Sequence, residues 1–526
     1  MPQQLISIKE ASELASKLVN REISALNISY LVQYGKVQKF NSNGSTLVDV
    51  DDLKKYYISF KGARELNWKK TLGNDLNWAL SFDHLREIDT TKHVHRLHPY
   101  KGKFIPQLVE YFMDSHVDDF KTNRYFKPGD IILDPFSGSG TALVQASEMG
   151  IHSIGVDISS FNCMITQVKL LNYDFLSLQE EIREINKKIN NFEANDRINS
   201  FNEELLKKLA EFNDTYFPSP EFKYKIYKGE VKSNYYVDKE KEFLKIYEAL
   251  IKKYNVKLTQ YKNETFLDKW YVKNIRDEID YAFSLVKYIK DVKNKKALAL
   301  ILSRTIRSCR ATMHSDLATL KEPQLNTYYC FKHKKICKPL FSIKSWFDRY
   351  AIDTLNRLKI FSRLKKDVYS SVIPADSMTV DIYKEIKNRN RKFYELLKTQ
   401  NIRGIFTSPP YVGQIDYHEQ HAYAYDLFGF KRKDELEIGP LYKGQGAEAR
   451  NSYMEGISKV LLNSRRYLTD NSDIFMVAND KHNLYPEIAR KSGMKIVNMY
   501  KRPVLNRTER DKSPYSEIIF HLKEAK

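Results

Sequence analysis

Asp130-Ile-Ile-Leu-Asp134-Pro-Phe-Ser-Gly-Ser-Gly-Thr141-Ala-Leu-Val-Gln-Ala-Ser-Glu-Met149 reads as strand, tight turn and helix, and His152-Ser-Ile-Gly-Val-Asp157 follows as a second strand. That order opens a doubly wound parallel sheet, so an α/β, Rossmann-like fold is expected. Gly138 and Gly140 let the backbone turn sharply and come close to a ligand, and the helix starting at Thr141 presents unpaired amides. The loop is not a phosphate loop, because no Gly-Lys-Ser/Thr follows it, and it lacks the full dinucleotide spacing. A nucleotide-like cofactor fits it, held at Asp134, Phe136, Gly138, Gly140 and Thr141. Asp157, at the end of the second strand, stands where a carboxylate accepts hydrogen bonds from ribose hydroxyls.

Working outward, strand signals stop after residue 165 and return at Val372-Ile-Pro-Ala-Asp376, Gly404-Ile-Phe-Thr407 and Asp473-Ile-Phe-Met-Val-Ala478. Lys495–Tyr500 and Ser516–Leu522 are expected to form a terminal antiparallel pair. Between the two sets lie 200 residues, 166–365, rich in Lys and Tyr and poor in Gly. A structureless loop of that size is implausible, so this stretch predicts an inserted helical domain. Residues 5–57 read as helix, helix, hairpin, helix, with a cap at Ser7, a second helix near Ser29–Tyr34 and a turn at Asn41–Gly44. This order resembles the winged helix-turn-helix of excisionase-type and MerR-type DNA binders; a plain helical cap on the next domain is the other reading. The expected division is 1–62, winged-helix-like module; 63–165, first part of the α/β core; 166–365, insertion; 366–526, second part of the core.

The 526 residues carry a formal net charge of +20, which points to a polyanionic partner, nucleic acid first. No run is apolar for long enough to cross a bilayer, and the N-terminal residues alternate charged and apolar side chains, unlike a secretory leader. Four cysteines in so long a chain do not build a disulfide framework, so a reducing cytoplasm is expected.

After the strand at 404–407 comes Ser408-Pro409-Pro410-Tyr411. Pro-Pro fixes the backbone and removes competing amide donors. The loop therefore presents a hydroxyl, proline carbonyls and an aromatic ring to a planar base. Together the two motifs resemble those of class I, S-adenosylmethionine-dependent DNA amino-methyltransferases, over roughly 90–165 and 366–526. The resemblance implies S-adenosylmethionine as cofactor, with Phe136, Gly138 and Gly140 beside its methionine and adenine portions and Asp157 as the ribose acid. It implies His98 and Lys101, in His98-Pro-Tyr-Lys-Gly-Lys-Phe-Ile-Pro106, over the methionine end, and Asp376 near the adenine amine. Ser408 and the Pro409 carbonyl would grip the amino protons of a flipped base, with Pro410 rigidifying the loop and Tyr411 stacking on the ring. Asp416, His418 and His421 are further candidates for the same pocket.

Thr407-Ser-Pro-Pro-Tyr411 resembles the form common in the family's cytosine enzymes, so the resemblance implies cytosine N4 ahead of adenine N6; an RNA base methyltransferase and a non-catalytic DNA-binding subunit are alternatives. Carbon-5 methylation is disfavoured, because no cysteine follows a proline. Double-stranded DNA is the expected partner, with a cognate restriction endonuclease as a possible second one and no membrane. Arg304, Arg307 and Arg310 recur at helical spacing in the insertion and are expected to face phosphates or guanine edges; a solvated helical lid is the other reading. Cys330, His333 and Cys337, with Cys309, fit a zinc site poorly because no Cys-x-x-Cys is present, so buried thiols and no metal are expected.

Overall fold

The structure, a computed structural model, describes all residues except 1–3, 20–22, 34, 43–44, 83–84, 119, 193–195, 233, 263–264, 317–319, 506–512 and 526. In chain order the strands are β1 (Leu5–Ser7), β2 (Lys39–Ser42), β3 (Ser45–Asp49), β4 (Ile131–Asp134), β5 (His152–Asp157) and β6 (Tyr328–Cys330). They continue as β7 (Lys335–Cys337), β8 (Ser370–Pro374), β9 (Ile402–Thr407), β10 (Leu468–Ala478), β11 (Met494–Pro503) and β12 (Ser516–Glu524). Two units result, one from Met1–Thr71, Asn190–Asp280 and Cys309–Ile343, the other from Leu72–Ile189, Tyr281–Ser308 and Lys344–Lys526.

In the smaller unit the N-terminal segment has the expected order of helix (Ile8–Val19), helix (Ala25–Gln33), hairpin (β2, β3) and helix (Val50–Leu72). A further strand, β1, pairs antiparallel with β3. Tyr34 of the expected second helix, and Asn43 and Gly44 of the expected turn, lie outside the described residues. The first helix starts on a reciprocal cap: the Ser7 amide donates to Glu10 Oε2 at 2.8 Å and the Glu10 amide to Ser7 Oγ at 3.3 Å. Its apolar stripe, Ala11 and Ala15, packs with Ile28, Leu31, Val48 and Leu53.

This segment does not stand alone. Gly35 has φ +67°, and a Cβ there would lie 2.5 Å from the Tyr224 amide nitrogen, so the two backbones touch where only glycine fits. Lys223 Nζ donates to the Gln33 carbonyl at 3.0 Å and Lys228 Nζ to Asp52 Oδ1 at 3.2 Å. The expected boundary at residue 62 is thus replaced by one unit that joins the N-terminal segment to part of the insertion. Phe201, Phe212, Phe243 and Tyr247 form the helical core of that part, with Tyr329 of β6 and Ile336 of β7.

In the larger unit seven strands form one sheet in the order β11-β12-β10-β9-β4-β5-β8. The pairs β4·β5, β5·β8, β4·β9 and β9·β10 are parallel, and β12 runs antiparallel to both β10 and β11. This is the expected doubly wound, class I sheet, with the antiparallel pair at its end. Alternate strand residues serve opposite faces: Ile131, Leu133, Ile405 and Ile474 enter one core, Ile132, Phe406 and Phe475 the other. The chain leaves β4 toward β5 and β8, then returns on its other side as β9. The ends of β4 and β9 therefore border the crevice where such sheets hold ligands.

The insertion does fall between β5 and β8, but it is not one body. Helix Val292–Ser308 belongs to the larger unit and packs against helices Ser160–Leu170 and Lys344–Leu364. Leu298, Leu300, Ile301, Leu302 and Ile306 are all fully buried, and a helix apolar on every side is an interior helix. Its arginines therefore do not form the expected DNA-facing row. Arg304 is buried; Nη1 donates to Thr354 Oγ1 and Nη2 to Asp353 Oδ2, each at 2.6 Å, and its guanidinium lies 4.3 Å from the Tyr350 ring centroid. Arg307 is half-buried, and Arg310 is buried beyond the helix end in the other unit. Arg304→Ala should cost about 3–5 kcal/mol of stability, as breaking a buried pair does. Denaturant unfolding would show that loss, whereas the salt dependence of DNA affinity should keep its slope.

Candidate active site

Above the β4 and β9 ends lies a cavity, partly open to solvent. Four of its walls come from separate stretches: Tyr100 with Gly102–Phe104, the β4 turn, the β5 end with Ser159 and Asn162, and Asp376–Ser377. Ser408, Pro410, Tyr417 and Leu436–Ile438 complete it.

The β4 turn is held by hydrogen bonds. The Ser137 amide donates to the Val156 carbonyl at 3.0 Å, Ser377 Oγ to the Pro135 carbonyl at 2.6 Å, and Thr166 Oγ1 to the Gly138 carbonyl at 3.0 Å. Lys169 Nζ donates to the Ser139 carbonyl. Gly138 and Gly140 have φ +47° and +77°; a Cβ would meet the Tyr100 hydroxyl at 2.8 Å and Thr166 Cγ2 at 2.4 Å respectively. Both glycines are thus required by conformation and by crowding.

Two buried acids organise the crevice. Asp157 Oδ2 accepts the Gly138 amide at 2.7 Å, while Oδ1 accepts the Ser159 amide at 2.9 Å and Asn162 Nδ2 at 3.1 Å. Asp134 Oδ1 accepts Thr407 Oγ1 at 2.6 Å and the Phe136 amide at 3.1 Å. The residue before the Ser-Pro-Pro-Tyr loop is thereby fastened to the residue before the glycine turn.

Burial raises both carboxyls above their ordinary range, Asp134 to about 7. With the unfolded carboxyl near 3.8, the folded protein prefers the protonated acid. Its contribution to stability is full below about pH 4 and is lost as pH rises to about 7. Asp134→Asn can still accept from Thr407 and Phe136 without this ionisation. Across pH 4–8 its unfolding free energy should therefore gain on the wild type, and parallel pH profiles would refute the assignment.

A family model described as DNA methylase matches residues 121–168, which span β4, the glycine turn and β5. Type II methyltransferase M.MjaII of Methanocaldococcus jannaschii is 48% identical over 526 residues, covering 99% of this chain and 97% of that protein. The chain belongs to the Type II DNA methyltransferases. Shorter likenesses go to M.MvaI of Kocuria varians, 32% identical over 149 residues (25% of this chain, 31% of that protein), and M.BsoBI of Geobacillus stearothermophilus, 31% over 101 residues (19% and 18%). The methyltransferase thus acts on an exocyclic amino group of cytosine or adenine. No helix among its described residues is long and apolar enough to cross a membrane.

Of the residues expected in the site, the methyltransferase brings Asp134, Phe136, Gly138, Thr141, Asp157, Asp376, Ser408 and Pro410 to one cavity. Gly140 and Pro409 stand directly beside lining residues. Tyr411 follows the lining residue Pro410 and packs against the sheet core, and its hydroxyl donates to Glu517 Oε1 at 2.8 Å.

Other expected residues lie outside the cavity lining. His98 is fully buried, its Nε2 3.2 Å from the Tyr423 hydroxyl and its ring against Phe161, and Lys101 points outward. In their place Tyr100 and Lys103 line the cavity. Burial lowers Lys103 to about 8. His418 and His421 are buried in the core: His418 pairs with Glu437 and His421 stacks on Tyr100. Asp416 takes the Tyr442 amide at 3.2 Å. Tyr417 is the residue of that stretch that reaches the wall, together with Glu437, which no motif announced.

Proposed function

We propose that this methyltransferase transfers the methyl group of S-adenosylmethionine to N4 of a cytosine flipped out of duplex DNA. The observation that carries the reading is the shared cavity of the glycine turn and the Ser-Pro-Pro-Tyr loop, coupled through Asp134 and Thr407.

The cavity fits the cofactor chemically. Ser137 Oγ, Ser139 Oγ and Asn162 Oδ1 are buried at its wall without a hydrogen-bond partner, a polar demand that a ligand rich in donors and acceptors meets. Phe136, Ile158 and Ile438 give apolar surface for a planar base. The cofactor supplies an electrophilic methyl group on a sulfonium. Asp157, which already accepts the Gly138 and Ser159 amides and Asn162 Nδ2, would receive a ribose hydroxyl on the lone pair left on Oδ2. Asp376, whose Oδ1 accepts the Met378 amide at 2.9 Å, would receive the adenine amine on its remaining lone pairs.

On the target side, Ser408 Oγ and the Pro409 carbonyl accept the two amino hydrogens. They would thereby turn the nitrogen lone pair out of conjugation with the ring, the state in which the amine is nucleophilic. Tyr411, anchored through Glu517, offers its ring face to the extruded base. The N-terminal segment, the rest of the smaller unit and the charge of +20 support duplex DNA as the polyanion. A restriction endonuclease of matching specificity is the second partner, and the four unpaired cysteines suit a reducing cytoplasm.

The test is incubation with methyl-labelled S-adenosylmethionine and duplex DNA, then mass spectrometry of the nucleosides. N4-methylcytosine is expected. N6-methyladenine would replace the base assignment, preferential labelling of competing RNA would replace the substrate, and cofactor binding without transfer to any polymer would favour the non-catalytic reading.

A further inference from the structure

Within the smaller unit, β6 and β7 pair with Tyr328 opposite Cys337, Tyr329 opposite Ile336 and Cys330 opposite Lys335. Successive strand residues point to opposite faces, so Tyr329 and Ile336 enter the aromatic core while Tyr328, Cys330 and Cys337 share the other face. Two imidazoles meet there: His333 from the hairpin turn and His314 from the segment before β6, their ring centroids 4.4 Å apart. His314 Nδ1 lies 3.7 Å from Cys330 Sγ, and His333 Nδ1 lies 3.5 Å from Cys337 Sγ. One donor atom from each of the four residues falls within 4.8 Å of the other three.

Those separations have a simple geometric meaning. A tetrahedral zinc ion has bonds of about 2.3 Å to sulfur and about 2.0 Å to nitrogen, which puts a nitrogen about 3.5 Å from a sulfur along each edge. The two closest sulfur–nitrogen pairs match that edge. The His333 amide donates to Cys330 Sγ at 3.4 Å, a bond that favours the thiolate over the thiol. Lys334, at φ +57°, closes the turn with its amide on the Cys330 carbonyl at 2.7 Å, so Cys330 and His333 are held on one tight loop. The Tyr328 hydroxyl, 2.8 Å from His314 Nδ1, is also 3.2 Å from the His314 amide, which it keeps as a partner if the imidazole lone pair turns to a metal.

We propose that His314, Cys330, His333 and Cys337 bind one Zn2+ ion in a closed structural site. Two thiolates and two neutral imidazoles cancel the ion's charge, so the complex is buried at little electrostatic cost. Four protein donors leave no position for water or substrate, so the site staples the hairpin to the segment before it and performs no chemistry. None of the four residues lines the catalytic cavity, and Cys309 is not part of the cluster.

The full-length protein, purified without a histidine tag or chelator, should contain about one zinc per chain by inductively coupled plasma mass spectrometry. The Cys330→Ser, Cys337→Ser double variant should lose it. Because that variant could fail to fold, two further measurements use milder conditions. His314→Ala should release zinc to a colorimetric chelator faster than the wild type. Cobalt added to chelator-treated wild type under reducing, anaerobic conditions should show the visible bands of tetrahedral coordination with thiolate charge transfer. A wild-type protein that is zinc-free and gives octahedral cobalt spectra would overturn the site. So would a folded double variant that retains its zinc.

Discussion

Ser408→Ala should lower turnover on duplex DNA about 10²–10³-fold, with affinity for S-adenosylmethionine within about twofold of the wild type. The expectation follows from the division of labour in the cavity. Ser408 and Pro410 line it, yet the hydrogen bonds that shape the glycine turn come from Asp157, Thr166, Ser377 and Lys169. Removing one hydroxyl therefore leaves the cofactor side intact and takes away an acceptor that acts on the base amine. Tyr411→Ala should behave in the same way, and Tyr411→Phe should be milder, because the ring survives while its bond to Glu517 is lost. Single-turnover methylation combined with calorimetric titration of the cofactor separates the two effects. A normal single-turnover rate in both alanine variants would remove the base pocket from this loop.

Asp157→Ala should weaken cofactor binding about 10²-fold, the scale of losing hydrogen bonds to a charged acceptor. Asp157 has two tasks: it pins the Gly138 and Ser159 amides with Asn162 Nδ2, and it lines the cavity with one lone pair on Oδ2 still open. Asp157→Asn should not rescue binding. An amide turns a donor toward one of those N–H groups, and a buried donor facing a donor is worse than a missing acceptor. Saturating cofactor should restore much of the rate in Asp157→Ala, in contrast to Ser408→Ala. A dissociation constant unchanged in both variants would rule out the ribose role.

Much of the sheet was legible because its strands are short apolar runs that end in Asp or in glycine and proline turns, as at Asp134, Asp157 and Thr407. The motif loops were legible for the same reason, since Gly and Pro declare their backbone. Facing direction was harder. In the irregular stretch at 98–104, Tyr100 and Lys103 line the cavity while His98 is buried, and no periodicity distinguishes these outcomes. Spacing showed that Arg304 and Arg307 share one side of a helix, but not that Leu298, Leu300 and Leu302 bury that helix all round. Glu437 and His314 carry no motif; only the folding of irregular segments brings Glu437 to the cavity wall and His314 beside Cys330.

The order of strands also has a consequence for synthesis on the ribosome. β4 pairs with β5 soon after both emerge, but its native partner on the other side is β9, which begins only at residue 402. At about 5–20 residues per second, the free edge of β4 waits some tens of seconds for that partner. Unpaired edges of buried apolar strands recruit foreign strands. The nascent chain therefore passes through its most aggregation-prone stage while the long helical excursion is being translated, and the catalytic loop, which follows β9 directly, arrives with the strand that ends it.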